Sequence, residues 1–470
     1  MKGRSLLSGL SGRPPRLLLQ GVAAAALAVA VPATVIALNP TVTATRPAEE
    51  AYQAALRTAV AASGSAELTT VYSTRDYAPV WIKSGKPTPE AGRLVRLLEA
   101  SAGEGLAPAD YETPALSAEL RRLESGGSPA EAAVAEIALS KSYAAYLRDR
   151  RRSVASEPIT FVDAELAPRG DLLAVALSKP DPLDLPPGNR LYEDLKGALA
   201  KHRAAPAALG DLSAADVEAL LLVNLDRTRG LPSSFDPRHL LVDVAAGELR
   251  IYEGGRQRDR MKVVVGQPSM PTPSMAGLIR YAAVDPYWYV PPDLTRDRFA
   301  RRAAADPAVL HRLGLETLSD WTPGATPIAP NQVDWESVAA GRTLARLRQK
   351  PGPGNPMGRV KFMLPNTLGI YLHDTPEKEL FQRPIRTASA GCIRVEDADR
   401  VARWLLDQGL GPPGEAERII NLQTPTPVFI LYITARIENG RLSFNPDVYR
   451  RDGPAIERLR ALGRLDVQRS

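Results

Sequence analysis

The stretch from Glu248 to Val265, ELRIYEGGRQRDRMKVVV, decides how this chain is read. Glu248-Leu249-Arg250-Ile251-Tyr252 has the composition of a strand, Gly254-Gly255 supplies a turn, and Met261-Lys262-Val263-Val264-Val265 reads as the return strand. Just upstream, Leu240, Val242 and Val244 alternate with their neighbours in the same period of two. Before Phe235 the period is different. From Ala48 to about Leu231 apolar residues recur with the spacing of one helix face: Leu94, Leu97 and Leu98; Leu116, Leu120 and Leu123; Val134, Ile137 and Ala138; Leu191, Leu195 and Leu199; Val217, Leu220 and Leu221. The expected fold class is α+β and multidomain, a mainly helical domain followed by a mainly β domain.

Downstream, strands are expected at Leu278 to Val284, Val360 to Leu364, Leu368 to His373, Ile393 to Val395 and Val428 to Ala435, with a last hairpin over Asn439-Gly440. One helix interrupts them, with Ala398, Val401, Ala402 and Leu405 on one face and Asp397 as its cap. The interval from Pro291 to Arg359 fits neither period. It is rich in Pro, Gly, Arg and Asp and holds Trp321 and Trp335, and an insertion of this length is read as a lid or binding loop.

At the other end, Lys2, Arg4, Arg13 and Arg16 precede an uncharged, Ala/Val/Leu-rich run from Leu17 to Leu38. Ala28-Val29-Ala30 resembles a cleavage signal, yet the run is long enough, at about 20 residues, to anchor in a bilayer. Either way the remainder is expected to be extracytoplasmic. The expected organisation is a signal peptide or membrane anchor at 1–45, a helical scaffold at 46–232, a β domain at 233–436 with the lid at about 291–358, and a C-terminal hairpin and helix extension at 437–470.

Export changes how charge is read. Of the formal +6, four positive charges belong to the leader, so the exported part carries only +2, and nucleic-acid binding loses its support. Arg148, Arg150, Arg151 and Arg152 are read as a solvated helix end. The 42 prolines among 470 residues exceed the roughly 5% usual share and point to many turns.

Export also makes the single cysteine informative. Exported proteins use cysteine mostly in pairs, and Cys392 has no partner to staple to. It is either a small buried hydrophobe or a reactive thiol. It follows Ala388-Ser389-Ala390-Gly391, and His373 lies upstream at the end of the apolar run Leu368 to Leu372. Two neighbouring strand ends would bring thiol and imidazole together, and an imidazolium beside a thiol lowers its pKa by ion pairing. Gly391 lets the backbone approach a substrate closely, so the Gly391 and Cys392 amides are candidate oxyanion donors. No His, Cys or carboxylate set has metal-ligand spacing, so neither metal nor cofactor is expected. Ser-x-x-Lys and Gly-x-Ser-x-Gly are absent, which disfavours serine chemistry.

These residues resemble the signature of the L,D-transpeptidase family: a histidine, some fifteen residues, then Ser-His-Gly-Cys, an apolar residue and Arg or Asn. Here His373 is followed, after residues 374–388, by Ser389, and Gly391, Cys392, Ile393 and Arg394 fall in place. Val264-Val265-Gly266 with Thr272-Pro273 is similar to the family's early strand and turn. Pro286 to Pro291, Arg348 to Asn355, His373-Asp374-Thr375-Pro376 and Leu380-Phe381 resemble its large Gram-negative subclass, as do Tyr77 to Trp81 and Gly105 to Tyr111 in the helical half. Ala390 departs from the pattern by replacing the signature's second histidine, and no segment resembles the peptidoglycan-binding module of many large members. The resemblance implies a peptidoglycan L,D-transpeptidase that forms 3→3 cross-links between tetrapeptide stems through a Cys392 thioester and releases D-alanine. His373 would shuttle protons, held by a backbone carbonyl; Gly391 would serve the oxyanion; Tyr371, Trp288, Ser389 and Arg394 would bind substrate, Arg394 either meeting a carboxylate or holding the sheet edge. The partners implied are donor and acceptor stems and other cell-wall synthases, in the periplasm. The rival readings are an L,D-carboxypeptidase using the same site and a non-catalytic wall-binding scaffold.

Overall fold

The computed structural model describes residues 40–465 apart from 169, 171 and 323. The leader expected at 1–45 therefore lies almost wholly outside the described residues. Among those residues no helix is long and apolar enough to cross a membrane. The chain divides into two units, Met1–Pro47 and Ala48–Ser470; of the first, only residues 40–47 are described, all of them helical.

In the second unit, helices Ala66–Thr74, Pro89–Glu99 and Thr113–Leu123 surround a longer one, α1 (Pro129–Asp149). Ser128 and Glu131 close a capping box at the start of α1, satisfying two amides that a helix end leaves open. Its buried face is Ala132, Ala133, Ile137, Ser140, Tyr143, Ala144 and Leu147, which pack with Trp81, Leu94, Leu98 and Leu123. Val134, expected on that face, is 62% exposed, because the true stripe runs one residue either side of it. Glu136 on the same face is fully buried. Its carboxylate accepts the Val80, Trp81 and Ile82 amides at 2.6, 2.8 and 2.8 Å and the Tyr72 hydroxyl at 2.8 Å. The Tyr77 to Trp81 motif is thus a loop wrapped on a buried acid. The basic helix end is also less solvated than its composition suggests, since Arg150 is sunk beside Glu104 at 3.2 Å.

The helical region builds a second core. Helices α2 (Arg190–Ala204) and α3 (Ala214–Arg229) pack Leu195, Leu199, Leu221 and Leu225 against Ala435, Ala455 and Leu459 of the C-terminal hairpin and helix, rather than against the first bundle. Asn224 of α3 ties this helix to the residue just before the C-terminal hairpin, accepting the Thr434 amide at 2.7 Å.

The β domain has strands β1 (His239–Asp243), β2 (Glu248–Glu253), β3 (Arg256–Gly266), β4 (Met275–Val284), β5 (Trp288–Val290), β6 (Leu315–Leu318), β7 (Arg346–Gln349), β8 (Val360–Met363), β9 (Leu372–His373), β10 (Thr387–Ser389), β11 (Ile393–Val395) and β12 (Arg418–Leu431). The hairpin β1-β2-β3 pairs in sequence order as the alternation predicts. The sheet runs β8-β9-β11-β3-β2-β1-β12-β4, and β4 also pairs with β8 through Val284↔Val360 to Tyr281↔Met363, so the ring of strands closes. The far end of β4 is covered in turn by a short strand from the helical half, Thr160–Phe161, through Thr160↔Met275 and Phe161↔Ala276. Its interior is filled by Leu240, Val242, Leu249, Val263, Ile279, Phe362, Leu372, Ile393 and Val428, with α4 (Ala398–Leu406) packing Val401, Ala402 and Leu405 into the same cluster. β1 is buried on both faces: Leu240 and Val242 point into the ring, while Leu241 packs outside with Leu231 and Phe429. The hairpin β13 (Ala435–Glu438) and β14 (Arg441–Phe444) turns over Asn439 and Gly440, both at positive φ. Last comes helix α5 (Asp452–Ala461).

The insertion between β4 and β8 is not a loop. β5, β7, β6 and the bridge-length strand Pro327–Ile328 form a separate antiparallel sheet, with Val290, Leu310, Leu315, Trp335, Val338 and Leu347 as its core. The sequence hid this because its strands are two to four residues long and its one longer helical run, residues 292–305, passes through a π-helical stretch at Thr295–Ala300.

Replacing Glu136 by alanine leaves two buried amides, of Trp81 and Ile82, and the half-buried amide of Val80 without an acceptor. At about 1–3 kcal/mol each, the loss is expected to be ~3 kcal/mol or more, read as a lower denaturation midpoint at unchanged m-value. A change within the error of the midpoint would show that the carboxylate does not hold the loop.

Candidate active site

The site is built by two short parallel strands. β9 pairs with β11 as Leu372↔Ile393 and His373↔Arg394, and the Ile393 amide donates to the Tyr371 carbonyl at 3.0 Å. Leu372 and Ile393 fill the ring interior. Alternation then sends Tyr371, His373, Cys392 and Arg394 to the opposite, outer face. β9 is shorter than the strand expected from Leu368. Residues 366–370 are instead folded by the Asn366 side chain, which donates to the Leu364 and Ile370 carbonyls at 2.6 and 2.7 Å and accepts the Leu368 amide at 3.0 Å, and Gly369 has φ +68°. The apolar run is a turn that ends in a strand.

His373 is 2% exposed. Its Nδ1 lies 2.5 Å from the Asp374 carbonyl, which can only accept, so Nδ1 carries the proton and Nε2 is left as a base. Burial, with the Arg394 guanidinium alongside, holds the ring pKa down at about 3, so it is neutral. Cys392 is half-buried. Burial raises its pKa, opposed by bonds from Tyr371 and by the charges of Arg394 and Lys361. The thiol donates to the Gly369 carbonyl at 3.3 Å and makes no hydrogen bond to His373 among the described residues. Thiol and imidazole thus share a face one pleat apart. The expected thiolate–imidazolium pair is absent from this resting arrangement, because burial disfavours both charges.

The other anticipated residues fall in different places. The Gly391 amide, one of two expected oxyanion donors, is engaged by the Ser389 hydroxyl at 3.1 Å, and that hydroxyl donates to the Cys392 carbonyl at 2.6 Å. Ser389 is thereby a buried brace of the turn, away from the cleft surface. The Cys392 amide has no acceptor among the described residues. Gly391 has φ +108°, and a Cβ there would stand 3.2 Å from Ile370. Tyr371 lies with its ring 5.7 Å from that of His373. Trp288 packs inside the insertion against Phe299 and not toward the thiol. Arg394 is ion-paired with Glu377 across the surface.

Two residues on the face had no signal in the sequence. Lys361, opposite His373 on β8, is buried. Its Nζ donates to the Tyr287 carbonyl at 3.1 Å, stands 3.6 Å from Glu417, and lies 5.9 and 6.0 Å from the Tyr371 and Tyr289 rings. Burial lowers its pKa. A lone lysine in Val-Lys-Phe-Met reads as the wet face of a strand, and only the insertion folding over it reveals otherwise. Tyr289, one residue beyond Trp288, takes the side of β5 that faces the lysine.

Residues 237–430 match the model of the L,D-transpeptidase catalytic domain, and residues 66–199 match that of the scaffold domain. The β domain is thus an L,D-transpeptidase catalytic domain. A protein of Haemophilus influenzae, provisionally named an L,D-transpeptidase, is 26% identical over 400 residues, 81% of this chain and 77% of the relative. Among solved structures, an L,D-transpeptidase from Mycobacterium smegmatis is 13% identical, covering 42% of this chain and 60% of its own, at a TM-score of 0.21. The ertapenem-acylated catalytic domain of the E. faecium enzyme is 14% identical, covering 42% of this chain and 98% of its own, at a TM-score of 0.20. Overlaps that slight carry nothing further.

Alkylation of Cys392 by iodoacetamide is expected to rise with pH through a midpoint above the ordinary thiol value, with no inflection from His373. Lys361→Met removes a cation facing the sulfur and is expected to raise the midpoint further, slowing alkylation at fixed pH by about tenfold per pKa unit. A midpoint at or below neutrality, or an unmoved midpoint in the variant, would contradict these electrostatics.

Proposed function

We propose that this protein is an L,D-transpeptidase that forms 3→3 cross-links in peptidoglycan through a Cys392 acyl-enzyme. The observation that carries the reading is the pairing, on one face, of a thiol with a neutral imidazole whose Nε2 is free to take its proton, beside a Cys392 amide with no acceptor. In the first step the sulfur attacks the carbonyl at the L-centre of diaminopimelate in a tetrapeptide donor while the thiol proton passes to Nε2. The oxyanion takes the Cys392 amide. The C–N bond to the terminal residue breaks, the imidazolium returns its proton to the leaving amine, and D-alanine departs from a thioester. In the second step the side-chain amine of an acceptor stem attacks the thioester, gives a proton to Nε2, and expels the thiolate, which recovers that proton.

Tyr371 lines the donor cleft, as do Tyr289 and Lys361, whose ammonium suits a stem carboxylate. Arg394 acts chiefly on the electrostatics of His373 and Cys392, its surface side being held by Glu377. The organisation proposed is a leader at 1–45, a scaffold at 46–232, a catalytic domain at 233–436 with a lid at about 291–358, and a C-terminal extension at 437–470, exported to the periplasm and working with other wall synthases.

Incubation with tetrapeptide muropeptides is expected to give 3→3 dimers and free D-alanine; tripeptide monomers without dimers would replace the transferase by an L,D-carboxypeptidase. Incubation with a carbapenem is expected to add its mass at Cys392, and labelling that survives Cys392→Ala would remove the proposed nucleophile. His373→Asn should lower turnover by roughly 10²–10⁴, the range for a lost general acid–base, and a loss of less than about tenfold would assign the proton transfers elsewhere.

A further inference from the structure

A buried strut runs from the C-terminal segment to the turn that carries the nucleophile. Thr272, in the loop between β3 and β4, is fully buried. Its hydroxyl donates to the Gly391 carbonyl at 2.7 Å and accepts the Gly266 amide at 2.9 Å. The Tyr449 hydroxyl then closes the far side of the loop, donating to the Gly266 carbonyl at 2.7 Å and accepting the Thr272 amide at 3.1 Å. The loop has little slack: a Cβ on Gly266 would fall 2.2 Å from the Met270 carbonyl. Tyr449 is itself fixed. Its ring stacks on Tyr432 at 5.2 Å and 14°, its amide donates to the Tyr432 hydroxyl at 3.0 Å, and the Arg451 guanidinium lies 5.1 Å from its centroid. Tyr449 lies beyond residues 237–430, the span matched by the catalytic-domain model.

The Gly391 carbonyl and the Cys392 amide N–H belong to one peptide plane, and in a trans peptide they point in opposite directions. Whatever fixes the first therefore aims the second. The Ser389 hydroxyl bonds the Gly391 amide and the Cys392 carbonyl, on the two flanking peptides, so the plane between them is left to Thr272. We propose that Thr272 and, through it, Tyr449 are positioning residues that aim the Cys392 N–H at the developing oxyanion. This rests on the reading of Cys392 as nucleophile and of its amide as oxyanion donor. Burial raises the Tyr449 pKa, so the phenol keeps the proton that it donates.

The test uses the full-length chain with Tyr449→Phe, Thr272→Val and Thr272→Ser. Two rates at Cys392 are compared: alkylation by iodoacetamide, which needs the thiol but no oxyanion donor, and acylation by a carbapenem, which passes through a tetrahedral oxyanion. Tyr449→Phe and Thr272→Val are expected to slow acylation by about tenfold or more, within the reach of a misaimed donor, while alkylation stays within about twofold of the parent at each pH. Thr272→Ser, which keeps the hydroxyl, should recover most of the acylation rate. Acylation and alkylation falling together, or acylation unchanged in either of the first two variants, would overturn the proposal. Tyr449→Phe alters no packing volume, so it decides alone should Thr272→Val fail to fold. Failure of the parent protein to form any adduct at Cys392 would instead strike the nucleophile assignment.

Discussion

The hydrogen bond from the Ile393 amide to the Tyr371 carbonyl sets everything at the site. It places Cys392 beside Tyr371 and brings His373 onto the same side of the sheet. A slip of one residue between the two strands would turn Cys392 or His373 into the hydrophobic interior and push Leu372 or Ile393 out. Two bonded residues per strand are too few to hold such a register alone. It is held from both ends: before β9 by the Asn366 side chain, which folds residues 366–370 into a turn, and after it by Asp374, whose amide donates to the Val360 carbonyl at 2.9 Å and whose carboxylate accepts the Arg359 amide at 2.8 Å. Gly358 makes room for that carboxylate, since a Cβ there would meet it at 2.3 Å.

The same burial that fixes the register sets the charge. The charges of Lys361 and Arg394 act on the sulfur, and each cation is also paired with a carboxylate, Glu417 and Glu377 respectively. Their field favours a thiolate, yet desolvation prevails and the resting pair is thiol and neutral imidazole. On the proposed roles this has a consequence for both steps. An imidazolium formed beside Arg394 is a strong acid, so a proton taken from the sulfur is readily handed on to the leaving amine. The thiolate has no long-lived counterion in His373 and is favoured mainly while the carbonyl is being attacked.

What was legible in the sequence was what depends on local pattern. The change of period near Phe235 separates helical from β structure, the Gly254-Gly255 and Asn439-Gly440 turns close hairpins, and Asp397 caps α4 with its side chain accepting the Arg400 amide at 2.9 Å. His373 and Cys392 were findable because each ends an apolar run and because the cysteine is unique. What was not legible depends on residues distant in the chain. The burial of Glu136 follows from a loop more than fifty positions earlier folding over it, and that of Lys361 from the insertion and Glu417 closing above. The engagement of the Gly391 amide and the packing of Trp288 depend on which side of a turn or strand faces the site, and in such short segments alternation has too few residues to declare it. The helices near residues 190 and 214 read like the rest of the scaffold because periodicity reports a buried face but not its partner, which here is the C-terminal helix.

The insertion shows how a segment without visible periodicity becomes a rigid part of a cleft. It leaves the ring at Val284 and returns at Val360, which are register partners, so its two ends are as close as paired strands allow. There the Asp285 amide donates to the Arg359 carbonyl at 2.8 Å, and the Arg359 side chain returns a bond to the Asp285 carboxylate at 2.6 Å. Asp285 is 3% exposed and also accepts the Gly414 amide at 3.0 Å, so the neck is fastened to the ring on a third side. Beyond the neck the insertion has its own sheet and core, and Lys361 reaches up from β8 to bond the Tyr287 carbonyl just before β5 begins. On the proposed reading of this segment as a lid, motion has to occur past Tyr287, because opening at the neck would strip partners from a buried carboxylate and a buried ammonium together. Lys361, whose charge acts on the thiol, lies on the fastened side of that boundary, and Tyr289, just past it, holds its ring 5.9 Å from that of Trp321, which is 44% exposed.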